Sequence, residues 1–561
     1  MERIWLNAPG WGRAGLVANT PVADPVSMAL DDTGHVYLFL YAGDESGYFP
    51  RVMAMNRQAE VVWERTYEIA LERPDQSRIL WDGQALQLFW LSAYGLYNAQ
   101  VETQSGQLLA SPVLLSDDVE VASYAVAQDT NGTIAVWYAG TQERPGLYAL
   151  PPGDLSGQAV EVDARGIGPH LRYDETGTLH AAWASYLPGQ DHPRFLYAAY
   201  QDGRYVPGQE SVLLEPRVGT SRVYGPWLGL DPQNVYLLWT IVPRLGPMAG
   251  MAGTYYLYFP RGQPALASAS SQVSIPYAYR LAYTTFPGQG LEAGPRVILG
   301  SSHFGNTYLS ELFINPALAP EQVVAFHTRL EYLRRKEQGQ VSIVFFQGGI
   351  PAGYQQISFT PASSGLPAIL SDQGGYLYIT WLVSGAESGY DVYFSSTAPD
   401  VRQALGKVTW GDIGQLGAET VFGLLAGVVL TPLALAWIVA PLLVLGLTSL
   451  LRRKDERFTS PGVLASLVLA IGAYWISKLA LMPTIRDYVP FSAWLPFIPP
   501  AFGLPLQVLT PLLITGLALM LAWRYTYAQD RPSPFFFLAI YAAVDAILTM
   551  AVYGVTFYGA F

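Results

Sequence analysis

Two charged residues lie inside apolar stretches near the end of the chain. Asp545 is near the middle of the stretch 535–557, and Lys478 lies toward one end of the stretch 462–482. A charge at such depth is costly in lipid and is normally paired or turned toward water. We expect the two side chains to form a structural ion pair. The alternatives are an outward-turned Lys478, a proton or ion path, and a partner subunit that faces Asp545.

These stretches belong to a set of four that fills the last quarter of the chain. The four apolar stretches are 421–451, 462–482, 504–523 and 535–557. Each reaches the roughly 20 residues that a helix needs to cross a bilayer, and lipid leaves backbone groups no partners outside a helix. The first stretch contains Pro432 and Pro441, which predict a kink or a tilt.

The loops between these stretches predict an orientation. The segment "RRKDER" (452–457) and the pair Arg524 and Arg531 carry the cations, so these two loops are expected on the cytoplasmic side. The large N-terminal region and the C-terminus would then lie outside, at a bacterial inner or plasma membrane. Residues 1–20 lack the apolar core of a signal peptide, so a cytoplasmic N-terminal region is the alternative.

Composition excludes several kinds of site. Charged residues make up 14% of the chain, against about 25% in soluble proteins, and there are no cysteines. Disulfides and thiolate nucleophiles are therefore excluded. Residues 1–417 carry a net charge of −14, which argues against nucleic acid as a partner. The six histidines lack the spacing of a zinc motif, and we expect neither a metal nor a cofactor.

One phrase recurs through the first four hundred residues: an acidic residue, a turn, and an alternating apolar run with an aromatic residue. It is clearest at "DTNGTIAVWYAG" (129–140) and "DETGTLHAAWAS" (174–185). The acid and the glycine suit a tight turn, and the alternation predicts a strand. We expect the following residues of these copies to be structural: Asp82, Trp90, Asp129, Gly132, Trp137, Asp174, Gly177, Trp183, Asp231, Trp239, Asp372 and Trp381.

The spacing of the copies predicts an all-β propeller. Copies begin 45 to 57 residues apart, except for one gap of 84 that predicts an enlarged blade. With a degenerate copy at 315–328, the count is seven blades, and six or eight are the alternatives. Each copy is expected to start one blade. The segment "ERIWLN" (2–7) is expected to supply the outer strand of the last blade, after "GKVTW" (406–410).

Three regions follow from these patterns. Residues 1–397 are expected to form the propeller, residues 398–417 a linker, and residues 418–561 an all-α transmembrane domain of four helices.

The D-x-x-G-x-x-x-x-W phrase resembles the Asp-box-related repeats of sialidase-like bacterial propellers. The resemblance is confined to short patches between about residues 20 and 400. It departs from the strict pattern S-x-D-x-G-x-x-W in its spacing and in lacking the serine at most copies. Such repeats occur in enzymes and in binding proteins alike, so they imply a fold and not an activity.

The same resemblance raises the possibility of a sialidase-like glycoside hydrolase. That chemistry would need an arginine cluster, a tyrosine nucleophile and an acid/base carboxylate. Arginine and tyrosine neighbours exist, and no family motif assigns them a role: Arg172, Arg222 and Arg280, with Tyr173, Tyr224 and Tyr279. The alternative is that the arginines pair with surface acids and the tyrosines fill blade interfaces.

We therefore expect a membrane-anchored propeller that acts as a binding or scaffolding subunit of a cell-envelope or membrane complex. Its expected partners are the lipid bilayer, protein subunits, and a glycan or peptide ligand on the propeller face. The sequence identifies no catalytic residue, and we favour a binding protein over an enzyme. The alternatives are the hydrolase and a transport component that uses Asp545.

Overall fold

A computed structural model describes most of the chain between residues 10 and 558. Within that range, the residues outside the description are 45, 94, 117–119, 142–143, 188, 190–191, 217–218, 276–296, 299–305, 333–335, 359, 361, 386–388, 408–409, 452–457 and 492–501. The chain forms two compact units, of which the first consists mainly of strands before Lys407 and the second mainly of helices after it.

The strands of the first unit form seven antiparallel sheets, so the blade count is seven and not six or eight. Blades 1 to 4 each contain four consecutive strands. They are β2 (Ser27–Leu30), β3 (Val36–Asp44), β4 (Gly47–Met55) and β5 (Val61–Thr66); β6 (Asp75–Trp81), β7 (Ala85–Ser92), β8 (Gly95–Glu102) and β9 (Val113–Leu114); β10 (Val121–Gln128), β11 (Ile134–Gly140), β12 (Leu147–Ala149) and β13 (Val160–Asp163); β14 (Gly166–Tyr173), β15 (Leu179–Tyr186), β16 (Pro193–Tyr200) and β17 (Ser211–Leu214).

Blades 5 to 7 complete the ring, and blade 6 is the enlarged one with five strands. Their strands are β18 (Arg222–Leu230), β19 (Asn234–Val242), β20 (Gly253–Pro260) and β21 (Ser271–Gln272); β22 (Val297–Ile298), β23 (Leu309–Ile314), β24 (Gln322–Tyr332), β25 (Lys336–Gln347) and β26 (Ile350–Gln356); β27 (Ser364–Ser371), β28 (Leu377–Ser384) and β29 (Tyr390–Ser396). The first strand of each blade, β23 in blade 6, contacts its counterparts in the two neighbouring blades, so these seven inner strands form a closed ring around a channel.

The N-terminus closes the ring, although not through the predicted segment. Strand β1 (Gly15–Thr20) pairs antiparallel with β29 and becomes the outer strand of blade 7. The segment "ERIWLN" lies outside the described residues. "GKVTW" does not end the last blade, because β29 ends at Ser396 and a helix begins at Trp410.

The repeated phrase lies one strand further into each blade than expected. In blade 3 the turn at Asp129 connects β10 to β11, so the phrase joins the inner strand to the second strand. The alternation of β11 is as predicted: Ala135, Trp137 and Ala139 pack toward blade 4, while its other face packs toward blade 2. Both faces of β11 are therefore buried between blades.

The second unit is helical. Its elements are α2 (Trp410–Val429), a 3-10 helix (Thr431–Ile438), α3 (Val439–Leu450), α4 (Pro461–Leu481), α5 (Thr484–Asp487), α6 (Gly503–Tyr527), α7 (Pro534–Tyr553) and α8 (Val555–Tyr558). Helix α1 (Pro399–Leu405) belongs to the propeller unit, where Val401 is buried against blade 7. The predicted linker therefore contains α1 and the first turns of α2.

Four helical segments are long and apolar enough to cross a bilayer, which indicates a membrane protein. They are Thr431–Leu450, Pro461–Leu481, Gly503–Tyr527 and Pro534–Tyr553. The first predicted stretch is not one helix. Its apolar N-terminal part, Thr420–Val429, ends before the 3-10 helix that contains Pro432, because proline lacks the N–H that would continue the ladder. Pro441 lies in the first turn of α3, where proline is tolerated.

Candidate functional site

The two charged residues of the apolar helices meet in the core of the helical unit. Lys478 Nζ on α4 lies 2.6 Å from Asp545 Oδ2 on α7. The Lys478 side chain is 1% exposed and that of Asp545 is 0% exposed. The pair is therefore closed off from the surroundings on all sides.

Hydroxyl groups and aromatic rings complete the surroundings of the pair. Tyr474, one turn before Lys478, donates to Asp545 Oδ2 at 3.0 Å, and Thr515 on α6 donates to Oδ1 at 3.3 Å. Lys478 also donates to the Thr549 hydroxyl at 2.7 Å, one turn after Asp545. The Lys478 ammonium lies 4.9 Å from the ring centroid of Trp475. Both charges thus have partners from several helices.

This arrangement suits a structural role in holding α4, α6 and α7 together. A buried ion pair is tolerated only when its remaining donors and acceptors are satisfied, and here both carboxylate oxygens accept hydrogen bonds. Sequence reasoning named the two charges but missed Tyr474, Thr515 and Thr549. The four-residue spacings of Tyr474 with Lys478 and of Asp545 with Thr549 were the available signal, since such residues share a helix face.

The acids of the repeated phrase hold the turns of the propeller together. Asp174 Oδ1 accepts the backbone N–H groups of Thr176 and Thr178 at 2.9 and 3.0 Å. Its Oδ2 lies 3.2 Å from His180 Nε2, and the other ring nitrogen lies 2.6 Å from the Tyr197 hydroxyl. One oxygen therefore fixes the turn and the other fastens it to the following strands.

Acids hold the corresponding turns of blades 2, 3, 5 and 7, and an Oδ2 partner is described in three of these four blades. Oδ1 accepts turn N–H groups in all of them, and Oδ2 accepts from Gln87 in blade 2, Tyr236 in blade 5 and Tyr378 in blade 7; the acids are Asp82, Asp129, Asp231 and Asp372. Gly132 and Gly177 have φ of 85° and 81°, the left-handed region that favours glycine. These residues are spread over five blades and do not converge on one site.

The tryptophans of the phrase fill the interfaces between blades. All five are fully buried: Trp90, Trp137, Trp183, Trp239 and Trp381. Trp137 and Trp183 meet between blades 3 and 4, with ring centroids 5.9 Å apart. They form part of the hydrophobic core and do not line a binding surface.

The inner strands carry a recurrent irregularity that faces the channel. Five of them contain a bulge with a residue in the left-handed region, namely Gln76 (φ 53°), Gly168 (59°), Gly225 (99°), Glu311 (48°) and Leu366 (48°). Side chains of the neighbouring blade accept several of the backbone N–H groups that these bulges free: Asp24 from Ser77, Ser123 from Gly168, and Glu311 from Leu366. Hydrogen bonds between blades therefore stabilise the wall of the channel.

Arg172 crosses the channel near the end where β14 finishes. Its guanidinium donates to the carbonyl oxygens of Asn315 and Ala317, at 2.5 and 3.3 Å. These acceptors follow β23 in blade 6, whereas Arg172 belongs to blade 4, so the side chain passes blade 5. Burial lowers the pKa of Arg172 to about 9, which leaves the group charged at neutral pH.

A second arginine crosses the channel nearer the other end. Arg78 of blade 2 lies over the Phe313 ring of blade 6, with 5.4 Å from Cζ to the ring centroid. Among the described residues, Arg78 makes one hydrogen bond, in which its guanidinium donates to the carbonyl oxygen of Ser77 at 2.7 Å. His170 lies within electrostatic range of both arginines. Burial and the two cations lower the pKa of His170 to about 3, and its Nδ1 accepts from Leu228 N.

Asp24 is the buried carboxyl group beside Arg78. It accepts the Ser77 backbone N–H and hydroxyl, both at 2.7 Å. Burial raises its pKa from 3.8 to about 6, although Arg78 opposes the shift. Asp75 and Tyr41 also lie within electrostatic range of Asp24.

Asp24 should make the propeller more stable in mild acid. Its pKa is higher in the folded chain than in the unfolded chain, so folding takes up a proton between pH 3.8 and about 6. Stability should therefore fall as the pH rises through that window, by up to about 3 kcal/mol. Thermal unfolding in detergent between pH 4.5 and 7.5 measures the slope. Asp24→Asn should flatten it, and an unchanged slope would contradict the assignment.

Where the structure describes them, the arginine–tyrosine neighbours of the sequence do not converge on one site. Arg172 lies in the channel, and Tyr173 packs in the interface of blades 3 and 4. Tyr224 is exposed at the start of β18, beside exposed Arg222. Tyr279 and Arg280 lie outside the described residues. In the part of the chain that the structure describes, no group of three or more potential metal ligands occurs.

Comparisons with known proteins find similarity in the propeller region. Similar solved structures include the polysaccharide lyase Uly1 (9% identity, 68% of this chain and 90% of that chain, TM-score 0.44) and the Dos1 propeller (8%, 71% and 97%, 0.39). The sialidase of Trypanosoma rangeli is a further neighbour (11%, 74% and 62%, 0.34). No protein-family model matches the sequence, and no curated protein matches it.

Proposed function

We propose that the protein is a membrane-anchored β-propeller that acts as a binding or scaffolding subunit. The helices anchor it, and the propeller meets the ligand or partner. One observation carries this division: the charged residues in the described core of the helical unit are closed into one satisfied pair, Lys478 with Asp545. A transport path through Asp545 would need access to water, and its side chain is 0% exposed.

We expect the propeller to supply the surface that binds a ligand or partner. Its repeated acids stabilise turns and its repeated tryptophans pack between blades. A partner would therefore bind at the channel or at the loops around it. One of these loops, between β19 and β20, exposes three large apolar side chains: Leu245, Met248 and Met251. Exposed flexible methionines are typical of surfaces that bind other molecules.

Affinity purification from native membranes tests the proposal. A tagged full-length chain, extracted in a mild detergent, should bring down at least one further membrane or envelope protein in stable proportion. A matched preparation of Leu245→Ser, Met248→Ser and Met251→Ser should recover less of it if the loop contributes. Recovery of the tagged chain alone, at 61.4 kDa, would contradict a scaffolding role.

We also propose that the propeller lies outside the cytoplasm. The basic segment 452–457 that supports this orientation lies outside the described residues. Because the chain has no cysteine, one introduced thiol reports the side directly. Gln84→Cys, in an exposed turn, should react with an impermeant maleimide on intact cells. Labelling only after the cells are opened would show that the propeller lies in the cytoplasm and would contradict the proposal.

A further inference from the structure

We infer that the loop between β19 and β20 binds a short acidic and apolar segment of a protein partner. The inference rests on the proposed binding function and names the chemistry of the partner at one site. That site, the blade 5 patch, consists of exposed side chains at one end of blade 5: Leu245, Met248, Met251, Tyr224, Arg222 and Arg244.

The loop holds its apolar side chains in a defined place. It spans residues 243–252 and is the longest of the seven loops that connect the second strand of a blade to the third. Gly250 N donates to the carbonyl oxygen of Pro243 at 2.8 Å, and Met251 N donates to that of Met248 at 3.0 Å. The three large apolar side chains of the loop are exposed, so they add little to the stability of the fold. Because the backbone is already ordered, binding through these side chains costs little further ordering.

Strand pairing places two arginines beside the loop. Arg222 on β18 is the antiparallel partner of Val242, the last residue of β19, which puts their Cα atoms about 5 Å apart. Arg244 follows Val242 by two residues in the loop itself. Both arginines are exposed, and neither has a carboxylate within ion-pair distance among the described residues, unlike Arg51 and Arg261. Their guanidinium groups are therefore available to a partner.

The charge of the blade 5 patch is opposite to that of the unit around it. Residues 1–417 carry a net charge of −14, yet the loop 243–252 contains an arginine and neither Asp nor Glu. The acids on adjacent elements are directed elsewhere. Glu311 on β23 accepts the backbone N–H of Leu366 in blade 7 at 2.8 Å, and Glu215 follows β17, the outer strand of blade 4. The patch is thus complementary to a partner that carries negative charge.

The surrounding charge favours a short protein segment over an anionic bilayer surface. A bilayer surface is broad and would also face the acidic remainder of the unit, whose repulsion would oppose its approach. A short segment meets the blade 5 patch alone. Its carboxylates can accept two parallel hydrogen bonds from a guanidinium, and its apolar residues can cover the leucine and the two methionines. Methionine and arginine are both enriched in protein interfaces, as this combination requires.

Photocrosslinking from the blade 5 patch tests the inference in native membranes. Because the chain has no cysteine, Met248→Cys places one benzophenone maleimide on the full-length protein. After irradiation, mass spectrometry should identify an adduct with a protein segment that contains Asp or Glu together with apolar residues. Ser46→Cys is the matched control, since Ser46 is exposed in the equivalent loop of blade 1 and should not capture this segment.

Charge variants show whether the captured segment is recognised or merely close. Arg222→Glu with Arg244→Glu should lower the yield of the adduct about fivefold or more, because the new charges repel an acidic segment. Arg222→Lys with Arg244→Lys keeps both charges and should retain most of the yield. Raising the ionic strength from about 0.1 M to about 1 M should also lower the yield, because exposed charges are then screened.

Three results would overturn the inference: no adduct above that of the Ser46→Cys control, an adduct with lipid, or capture of a segment that is not acidic or that charge reversal leaves unchanged. Each can occur while affinity purification still recovers a partner. The partner would then bind elsewhere on the chain, and the proposed function would stand. If purification recovers no partner either, the proposed function fails as well.

Discussion

Lys478→Met should destabilise the helical unit by about 3–5 kcal/mol. The substitution removes the ammonium and leaves the Asp545 carboxylate buried with hydroxyl partners alone. Breaking one side of a buried pair costs more than the pair contributes, because an uncompensated charge remains. Unfolding in mixed micelles, followed by tryptophan fluorescence, measures the loss of stability.

The double variant is the internal control for that experiment. Lys478→Met with Asp545→Leu removes both charges and should recover most of the lost stability, as replacement of buried pairs by apolar groups often does. If the double variant is as unstable as the sum of the two single variants, the residues do not act as a pair. Full stability of Lys478→Met alone would show that Asp545 finds a proton or a cation elsewhere.

Trp183→Ala should destabilise the propeller by about 3–5 kcal/mol. The side chain is fully buried between blades 3 and 4, and the substitution leaves a cavity beside Trp137 that a closed ring of blades cannot readily fill. Chemical denaturation followed by near-ultraviolet circular dichroism measures the change.

The matched control for Trp183→Ala is Trp410→Ala, the same substitution at a side chain that is 86% exposed. It should change stability by less than about 0.5 kcal/mol. A similar loss in both variants would mean that the effect is not one of blade packing.

The repeat could be predicted because its signals are local. An acid, a glycine with positive φ and a tryptophan eight or nine residues after the acid lie within one turn and one strand, as at Asp129, Gly132 and Trp137. The inner strands were missed for a physical reason. Their bulges break the period of two, as Gly168 does in β14, so each blade was placed one strand late.

The closing strand was misplaced for a different reason. Gly15–Thr20 has no strong alternation of its own, and it forms a strand because β29 offers an unpaired edge. Such a choice depends on a partner almost four hundred residues away, which local pattern does not encode. The break at Pro432 is the opposite case, since one residue without an N–H is enough to predict it.

The candidate sites also differ in how far the sequence alone predicts them. Asp545 and Lys478 stand out because charge is rare in apolar helices, so the sequence marks them. Asp24 and Arg78 carry no motif. They become notable only because the ring brings blade 2 opposite blade 6 and leaves the Arg78 guanidinium above Phe313 without a carboxylate.

The central claim is that the propeller binds the partner while the helices anchor the protein. Hydrogen–deuterium exchange on the full-length chain, free and with its copurified partner or ligand, tests this claim most directly. The account predicts that added protection falls in the propeller, around the channel and the loop between β19 and β20. It also predicts no change in α4, α6 and α7 beside Asp545 and Lys478. Protection confined to those helices, with the propeller unchanged, would contradict it.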